Sequence, residues 1–247
     1  MMTLQPQHQP ARVLLVEDDE IISEAIVYNL KRQGYLCRTA LDGLEGLRQV
    51  RRQDPDLLIL DLMLPLLDGW KLCEQIRRED YRFPIIICSA RTAESDKVTG
   101  LSLGADDFIT KPFGMAELVA RVGANLRRAR GEREPAAAER IVAAPLVIDP
   151  GSREVLADGE AVELTRKEFA ILHHLAACSP RIVPRDEIYR TVWGYEFMPG
   201  DRSVDVFVRR LRKKLKAKLP QYKFLHTSYG FGYKFQAIRR EAAGKWE

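Results

Sequence analysis

The chain has 247 residues, which is enough for two domains of about 100 to 130 residues that each bury a core. Its residues are 46% hydrophobic and 30% charged, and no apolar run approaches the roughly 18 residues of a membrane span, so we expect a cytoplasmic protein without a membrane partner. The formal net charge of +4 is uneven, because residues 1–129 hold 17 Lys and Arg against 19 Asp and Glu, whereas residues 130–247 hold 22 against 16. A basic second half suits nucleic acid.

The first half alternates short apolar runs with amphipathic segments, which predicts five βα units. The predicted strands lie in RVLLVED, YLCRTA, LLILDL, IIICSA and DFITKP. Because these runs are uniformly apolar, helices should cover both faces of the sheet, as in an α/β fold with a five-stranded doubly wound parallel sheet. In such a sheet, ligands bind beyond the carboxyl ends of the strands.

The chain is predicted to divide near a stretch that is rich in charge and Ala, lacks aromatic residues and contains Pro135. The predicted organisation is a disordered tail, a first domain, a linker, an α+β second domain and a C-terminal tail, at residues 1–11, 12–129, 130–144, 145–239 and 240–247.

Polar side chains follow four of the predicted strands. Glu17 and Asp18 follow the first strand and Asp61 the third, while Ser89 and Lys111 end the fourth and fifth. Carboxylates that converge at one edge repel unless a hard cation such as Mg²⁺ joins them. A carboxylate there can attack a phosphoryl group, and a hydroxyl and an ammonium group can hold its oxygens. Taken singly, each acid could equally be a helix N-cap.

The spellings LLVEDD, LLILDLMLPLLDGW, IIICSAR and GADDFITKPF make residues 12–129 resemble the receiver domains of two-component response regulators. The resemblance implies a flavodoxin-like fold in which Asp61 accepts a phosphoryl group from a histidine kinase. It implies a magnesium site formed by Glu17, Asp18, Asp61 and the backbone carbonyl of Met63. It also implies that Ser89 and Lys111 assist the transfer, and that Ser89 and Phe108 form the switch, with Phe108 where Tyr is more usual.

The segment DKVTGLSLGADDFITKPFGMAELVARVGANLRR is similar to the OmpR/PhoB subfamily. That similarity implies a homodimer, formed on phosphorylation through the fourth and fifth helices. The expected cross-subunit pairs are Lys97 with Glu117, Asp107 with Arg121, and Asp106 with Arg128. The expected apolar patch between them consists of Val98, Leu101 and Ala120. The alternative is that these charges are ordinary exposed helix residues, which contribute little.

The second domain is predicted to contain strand pairs, a terminal hairpin, and helices that start at Thr165, Arg185 and about Arg202. Residues 202–218 hold eight Lys and Arg against Asp205, with apolar residues at helical spacing. Such a helix packs on one face and can lie in the DNA major groove with the other, although a merely solvated basic face gives the same pattern. The hairpin HTSYGFGYKF follows, and its Gly230 and Gly232 permit a tight turn, as in a wing.

The motifs LTRKEFAILHHLA, VWGYEF and RSVDVFVRRLRKKL are similar to the winged-helix output domain of the same subfamily. The similarity implies that promoter DNA is contacted by Trp193, Arg202, Ser203, Arg209, Arg210, Arg212, Lys213, Thr227 and Tyr233. Two positions depart from the pattern, since Tyr229 stands where many relatives have Arg and Phe207 where His is common. Residues 194–200 correspond to the segment that relatives offer to RNA polymerase.

We therefore expect a phosphorylation-controlled transcriptional regulator and not an enzyme. A regulator that binds DNA without phosphorylation is one alternative. A metal-dependent phosphatase with Asp61 as nucleophile is another, but such enzymes carry a second acid where this chain has Met63. The four cysteines are expected to be free thiols, and the adjacent His173 and His174 to be packed or exposed side chains and not metal ligands.

Overall fold

The computed structural model describes residues 9–91, 93–129, 139–197 and 201–239, without the side chain of Arg128. The chain divides into two compact units between Arg130 and Gly131. The predicted tails fall mostly outside the described residues, and so does most of the predicted linker. No described helix is long and apolar enough to cross a membrane.

The first unit is a five-stranded parallel sheet with strand order β2-β1-β3-β4-β5 and a helix after each strand, which confirms the predicted doubly wound sheet. Its elements are β1 (Arg12–Val16), α1 (Glu20–Arg32), β2 (Leu36–Ala40), α2 (Gly43–Arg52), β3 (Leu57–Leu60), α3 (Gly69–Arg78), β4 (Ile85–Ser89), α4 (Glu94–Leu103), β5 (Asp107–Thr110) and α5 (Met115–Ala129).

The central strands form the core of this unit. All residues of β3 and β4 are buried, and a buried Leu or Ile side chain contributes about 1.5 to 3 kcal/mol by leaving water. β2 departs from the prediction of uniform burial, because only Ala40 of this strand is buried and Leu36 is 55% exposed. β2 lies at the edge of the sheet, where the helical layers cover less of the surface.

Aspartates are the N-cap residues of three helices that begin at the carboxyl edge of the sheet. The side chains of Asp19, Asp42 and Asp68 each accept a backbone N–H from the first turn of the helix that follows, α1, α2 and α3 respectively. The N-cap of α1 is therefore Asp19, and neither Glu17 nor Asp18 has that role. The start of α3 also passes very close to the end of β3, since a Cβ on Gly69 would lie 2.1 Å from the carbonyl oxygen of Asp61. A side chain at position 69 would therefore displace the segment that carries Asp61.

The second unit combines two small sheets with three helices. Its elements are β6 (Ile141–Ala143), β7 (Leu146–Asp149), β8 (Glu154–Ala157), β9 (Glu160–Ala161), α6 (Arg166–Ala177), β10 (Val183–Pro184), α7 (Arg185–Trp193), α8 (Ser203–Lys218), β11 (Tyr222–Ser228) and β12 (Gly232–Arg239). One sheet has the order β6-β7-β8-β9 with antiparallel pairs, and the other has the order β10-β12-β11. β6 lies inside the range predicted as linker, and its three residues pair with β7.

The predicted helices and the terminal hairpin of this unit are present. Thr165 and Glu168 form a capping box at the predicted start of α6. The hairpin of β11 and β12 turns at Gly230, which adopts a φ of 78°. Gly232 serves a different purpose, because a Cβ there would lie 2.1 Å from the carbonyl oxygen of Val183 in β10. The first residue of β12, next to the turn, is thus in backbone contact with the strand before α7.

Candidate functional site

Three carboxylates meet at the carboxyl edge of the first sheet. Glu17 and Asp18 follow β1, Asp61 follows β3, and their oxygen atoms lie within 4.8 Å of one another. β1 and β3 are neighbours with Val16 opposite Leu60, so the residues that follow the two strands come side by side. The topology of the sheet, and not local sequence, brings this carboxylate cluster together.

One ammonium group joins two of these carboxylates. Nζ of Lys111, which follows β5, donates to both carboxylate oxygens of Glu17 at 2.7 Å and to Oδ2 of Asp61 at 2.5 Å. The side chains of Glu17 and Asp61 are 1% and 6% exposed, whereas Asp18 is exposed. The buried carboxylates of Glu17 and Asp61, whose oxygens lie within 4.8 Å of each other, repel, and the Lys111 cation offsets part of that repulsion.

The electrostatics of the cluster remain unbalanced without a further cation. Burial raises the pKa of Glu17 to about 7, against the opposing hydrogen bond from Lys111. Burial alone would lower the pKa of Lys111, but its hydrogen bonds with Asp61 and Glu17 raise it above the ordinary value. The ammonium group is therefore charged at neutral pH, while Glu17 has an ionisation cost that an added cation would remove.

The donor set fits a hard divalent ion. Oδ1 of Asp61 accepts the backbone N–H of Met63 at 3.0 Å, which fixes the carboxylate at the end of β3. Three carboxylates, one of them facing solvent, match the preference of Mg²⁺ for a few oxygen ligands and several waters. These residues fit the ion, and a contribution from the Met63 carbonyl stays a prediction.

Ser89 is the last residue of β4, and Phe108 lies in β5. The side chain of Ser89 is buried, and its Oγ accepts the backbone N–H of Arg91 at 3.3 Å. Phe108 is 3% exposed, and its ring lies beneath α4, where a Cβ on Gly100 would be 3.2 Å from the ring. The aromatic residue at the predicted switch position thus points inward in this structure.

An open depression, which no sequence motif indicated, borders the carboxylate cluster. Asp18 and Met63 line it on the cluster side, and Trp70, Lys71 and Arg91 line it elsewhere. Trp70 carries no motif signal, so only the fold reveals its place here.

Several residues predicted for the dimer interface on α4, β5 and α5 form ion pairs within the chain, and their pairing across subunits stays a prediction. Arg121 donates to Asp107 at 3.0 Å and to Glu117 at 2.7 Å within one chain, and the side chains of Arg121 and Asp107 are 8% and 2% exposed. The predicted cross-subunit pair of Asp107 with Arg121 is therefore an intrachain pair here. Asn125 also donates to Asp107, at 3.4 Å.

A second predicted pair is replaced in the same way. Asp106 is bound by Arg77 of α3 at 2.9 Å and by the backbone N–H of Ile85, so it is not presented for Arg128, whose side chain lies outside the described residues. Leu101 is completely buried and belongs to the core, not to a surface patch. The predicted interface residues that reach the surface are Lys97, Val98, Glu117 and Ala120.

The basic residues of α8 divide into an outward group and an inward group. Arg209, Lys213 and Lys216 are exposed and lie at i, i+4 and i+7, so they form one stripe along the helix, which we call the basic stripe. Arg202 is exposed at the start of α8. Lys216 was not among the predicted DNA contacts, although the same helical spacing would have found it.

The inward group binds a buried carboxylate. The Glu168 side chain of α6 is 0% exposed, and it forms ion pairs with Arg210 at 2.9 Å and Lys214 at 2.7 Å. The same carboxylate accepts the backbone N–H of Thr165 at 2.8 Å in the capping box. Glu168 thus joins α6 to α8, and the predicted contact residue Arg210 is held inside the unit.

Arg212 also turns toward the protein. Its guanidinium donates to the carbonyl oxygen of Leu225 at 3.1 Å and to Oγ1 of Thr227 at 2.8 Å, so two predicted contact residues, Arg212 and Thr227, bind each other between α8 and β11. Both side chains are half-buried.

Three other predicted DNA contacts are corrected by burial. Trp193 is completely buried, and its ring stacks on Tyr189 with the Nζ of Lys167 above it. Ser203 is 1% exposed. Tyr233 is 4% exposed, and its hydroxyl is hydrogen-bonded to Asp205. These side chains have no free surface for a phosphate.

Phe207 and Tyr229, the two departures from the subfamily pattern, have opposite environments. Phe207 is 1% exposed and packs edge-on against Trp193, so it belongs to the core. Tyr229 is 89% exposed at the tip of the hairpin, and Phe231 beside it is 73% exposed. The tip therefore presents two aromatic rings to solvent, of which the sequence singled out only Tyr229.

Two family descriptions match the chain. Residues 13–123 match the response regulator receiver domain, and residues 159–235 match the C-terminal domain of transcriptional regulatory proteins. A RitR mutant structure is 27% identical, with a TM-score of 0.69, over 92% of this chain and 99% of that one. Response regulator DrrB of Thermotoga maritima, described as an OmpR/PhoB homolog, is also 27% identical, with the same coverage and a TM-score of 0.48. The Francisella response regulator 1452 receiver domain is 35% identical over 48% of this chain and 98% of its own, with a TM-score of 0.47.

Each family description coincides with one of the two structural units. The first covers the parallel sheet with its carboxylate cluster, and the second covers the three helices and the terminal hairpin. The chain belongs to the response regulators, with a receiver domain followed by the C-terminal domain of transcriptional regulatory proteins.

Proposed function

We propose that Asp61 accepts a phosphoryl group from a histidine kinase, and that this modification controls how the second unit binds promoter DNA. The observation that carries the proposal is the carboxylate cluster itself, in which buried Asp61 lies against Glu17 and the charged Lys111. Because buried like charges repel, this arrangement lowers stability when no ligand is bound, and a ligand-binding role accounts for its presence.

In the proposed transfer, a carboxylate oxygen of Asp61 attacks phosphorus, and the bond from phosphorus to the donor nitrogen breaks. The leaving imidazole takes up a proton, and Asp61 becomes an acyl phosphate. Bound Mg²⁺, held by Glu17, Asp18 and Asp61, would neutralise charge on the phosphoryl oxygens. Nζ of Lys111 is already at the Asp61 carboxylate, so it is in position to bind the new phosphoryl group.

The proposed signal then passes through β4 and β5. A phosphoryl group on Asp61 would offer an acceptor for the hydroxyl of Ser89, which now holds the N–H of Arg91 through a long hydrogen bond. A shift there would alter the space beneath α4 that Phe108 fills. Phosphorylation would thereby favour one of two arrangements of the α4 and α5 surface, and we propose a homodimer through Lys97, Val98, Glu117 and Ala120.

For DNA binding, we propose that α8 lies in the major groove and that the hairpin contacts the adjacent backbone or minor groove. The support is the basic stripe, with Arg202 at its start and no acidic side chain at the stripe positions. Arg209 and Lys213 are the predicted contacts that retain exposed side chains on the helix. Residues 194–200, of which 198–200 lie outside the described residues, are the proposed contact with RNA polymerase, on the family resemblance alone.

The test uses the full chain with acetyl phosphate and Mg²⁺. We expect intact-protein mass spectrometry to find one added phosphoryl group, and Asp61→Asn to abolish it. Asp54→Asn is the matched control, because Asp54 is an exposed carboxylate near the opposite end of β3 and should leave labelling unchanged. Equal labelling of Asp61→Asn would contradict the assignment.

The second half of the test selects duplexes from a random pool with and without the phosphodonor. We expect phosphorylation to strengthen binding to the selected sequence and to shift the protein from monomer to dimer in light scattering. Equal binding in both states, with Asp61 labelled, would favour the regulator that binds DNA without phosphorylation. Steady release of inorganic phosphate from simple phosphate esters would instead favour the phosphatase.

A further inference from the structure

A second group of possible metal ligands lies in the second unit, away from the carboxylate cluster. An imidazole, a thiol and a carboxylate, from His174, Cys178 and Glu187, have ligand atoms within 4.8 Å of one another. All three side chains are half-buried. Nothing in the proposed DNA binding uses these residues.

The local fold explains why the three side chains meet. His174 and Cys178 are four residues apart at the C-terminal end of α6, so they lie on one face of the helix, and Cys178 is its C-cap residue. Glu187 lies in the first turn of α7, which packs beside α6. The imidazole lies between the other two groups, with Nδ1 4.0 Å from the Cys178 sulfur and Nε2 3.6 Å from a Glu187 oxygen.

One atom of this group is not satisfied. Nε2 of His174 is buried and has no hydrogen-bond partner among the described residues. A buried ring nitrogen without a partner is costly, and it faces a carboxylate and not an apolar wall. An acceptor of its lone pair would remove that cost.

A positively charged side chain occupies the remaining side of the group. The guanidinium of Arg181 donates to the Cys178 sulfur at 3.2 Å and to the two Glu187 oxygens at 2.6 and 2.8 Å. The Arg181 side chain is 52% exposed and follows α6 in the chain, so it can move into solvent. The two hydrogen bonds to Glu187 form a bidentate pair, so a metal ion would have to displace this guanidinium to reach the carboxylate.

We propose that His174, Cys178 and Glu187 bind one borderline divalent cation of the Zn²⁺ class, which takes the place of the Arg181 guanidinium. Imidazole, thiolate and carboxylate are ligands of Zn²⁺, and three protein ligands leave a fourth position for water. Mg²⁺ is a poor candidate, because it requires oxygen ligands. On binding, the Cys178 thiol releases its proton to solvent and its sulfur bonds to the metal, with no change of oxidation state.

Co²⁺ is the probe that tests the site, because a thiolate bound to Co²⁺ gives a sulfur-to-metal charge-transfer absorption that oxygen ligands do not give. The reduced full chain is titrated with Co²⁺ in excess Mg²⁺, which occupies the carboxylate cluster. We expect this absorption to saturate at one Co²⁺ per chain and to disappear when Zn²⁺, which binds such sites more tightly, is added.

Variants identify the ligands. Cys178→Ser should remove the charge-transfer absorption, whereas Cys37→Ser, at the other half-buried cysteine, should retain it. His174→Gln should weaken Co²⁺ binding at least tenfold. An unaltered absorption in Cys178→Ser, or no absorption in the native chain, would overturn the proposal.

Arg181 provides a test that does not depend on losing a ligand. If its guanidinium competes with the metal, Arg181→Gln should bind Co²⁺ several-fold more tightly than the native chain, with the same absorption. Weaker binding in Arg181→Gln would mean that the arginine supports the site, and the proposed replacement would be wrong. Circular dichroism of each variant checks that the unit is folded.

Discussion

The carboxylate cluster of the receiver and the basic helix of the second unit illustrate two ways in which sequence specifies a site. In the cluster, Glu17, Asp61 and Lys111 come from three strands that are far apart in the chain, yet they meet within hydrogen-bond distance. In α8, neighbouring basic residues serve different purposes, because Arg209 faces solvent and Arg210 binds buried Glu168.

The difference follows from what fixes each side chain. A residue that directly follows a strand of a parallel sheet must lie at its carboxyl edge, so topology alone brings the cluster together. A residue on a helix faces solvent or protein according to the neighbours that pack on the helix, and these neighbours are remote in sequence. Glu168 and Thr227 decide the directions of Arg210 and Arg212.

The largest expected effect tests whether the inward side of α8 is structural. Glu168→Ala leaves Arg210 and Lys214 without their buried partner and removes the capping box of α6. Removal of one member of a buried ion pair costs about 3 to 5 kcal/mol. Because Arg210 and Lys214 are partly exposed, we expect the free energy of unfolding to fall by about 3 kcal/mol. The unfolding transition of the second unit in urea measures this loss.

Glu160→Ala is the control for that loss. Glu160 is also bound by a lysine of α8, Lys218 at 2.8 Å, but the Glu160 side chain is 71% exposed. We expect it to change stability little, because ion pairs between exposed side chains contribute weakly. Similar losses in the two variants would mean that burial does not distinguish these ion pairs.

The next effect separates two neighbouring faces of one helix. Arg210→Ala should lower stability by about 2 kcal/mol, because it leaves Glu168 with fewer partners. Lys213→Ala should leave stability unchanged, weaken DNA binding, and reduce the slope of log binding constant against log salt concentration by about 0.9. Denaturation and fluorescence anisotropy at several salt concentrations measure the two properties. Arg210→Ala that is fully stable and specifically loses base discrimination would restore the original sequence interpretation of Arg210.

The smallest effect concerns pH and the carboxylate cluster. The pKa of Glu17 in the folded chain, about 7, lies above its ordinary value of 4.5, so the folded state binds the proton more tightly than the unfolded state. Metal-free stability should therefore fall as pH rises from about 4.5 to 7. Mg²⁺ binds the ionised form, so its stabilising effect should grow over the same interval.

Thermal denaturation of the native chain and of Glu17→Gln, with and without Mg²⁺, checks this dependence. The variant should show a flatter metal-free profile. Glu79→Gln is a control of opposite sign, because the hydrogen bond from Arg51 lowers the pKa of Glu79, which is therefore ionised throughout this interval. A Glu17→Gln profile as steep as the native one would assign the dependence to another group.

Sequence reasoning was sufficient for the fold and for the placement of the carboxylate cluster, because alternating strands and helices define the sheet and its carboxyl edge. It could not identify the intrachain partners of Arg121 and Asp106, since charge and helical spacing do not state whether a partner is in the same chain. It also could not recognise that Trp193 and Tyr233 are core residues, because aromatic side chains suit a core and a DNA surface equally well. His174 gave no metal signal either, since Glu187 lies beyond any short motif.

The backbone contact at Gly232 has a consequence for how this regulator can diverge. Any side chain there would collide with the Val183 carbonyl, so the start of β12 is fixed against β10. The tip is different, because a Cβ on Gly230 meets nothing within 4 Å, and Tyr229 and Phe231 extend into solvent. Positions 229 and 231 can thus vary without disturbing the packing of the unit, whereas Gly230, with its φ of 78°, disfavours any side chain.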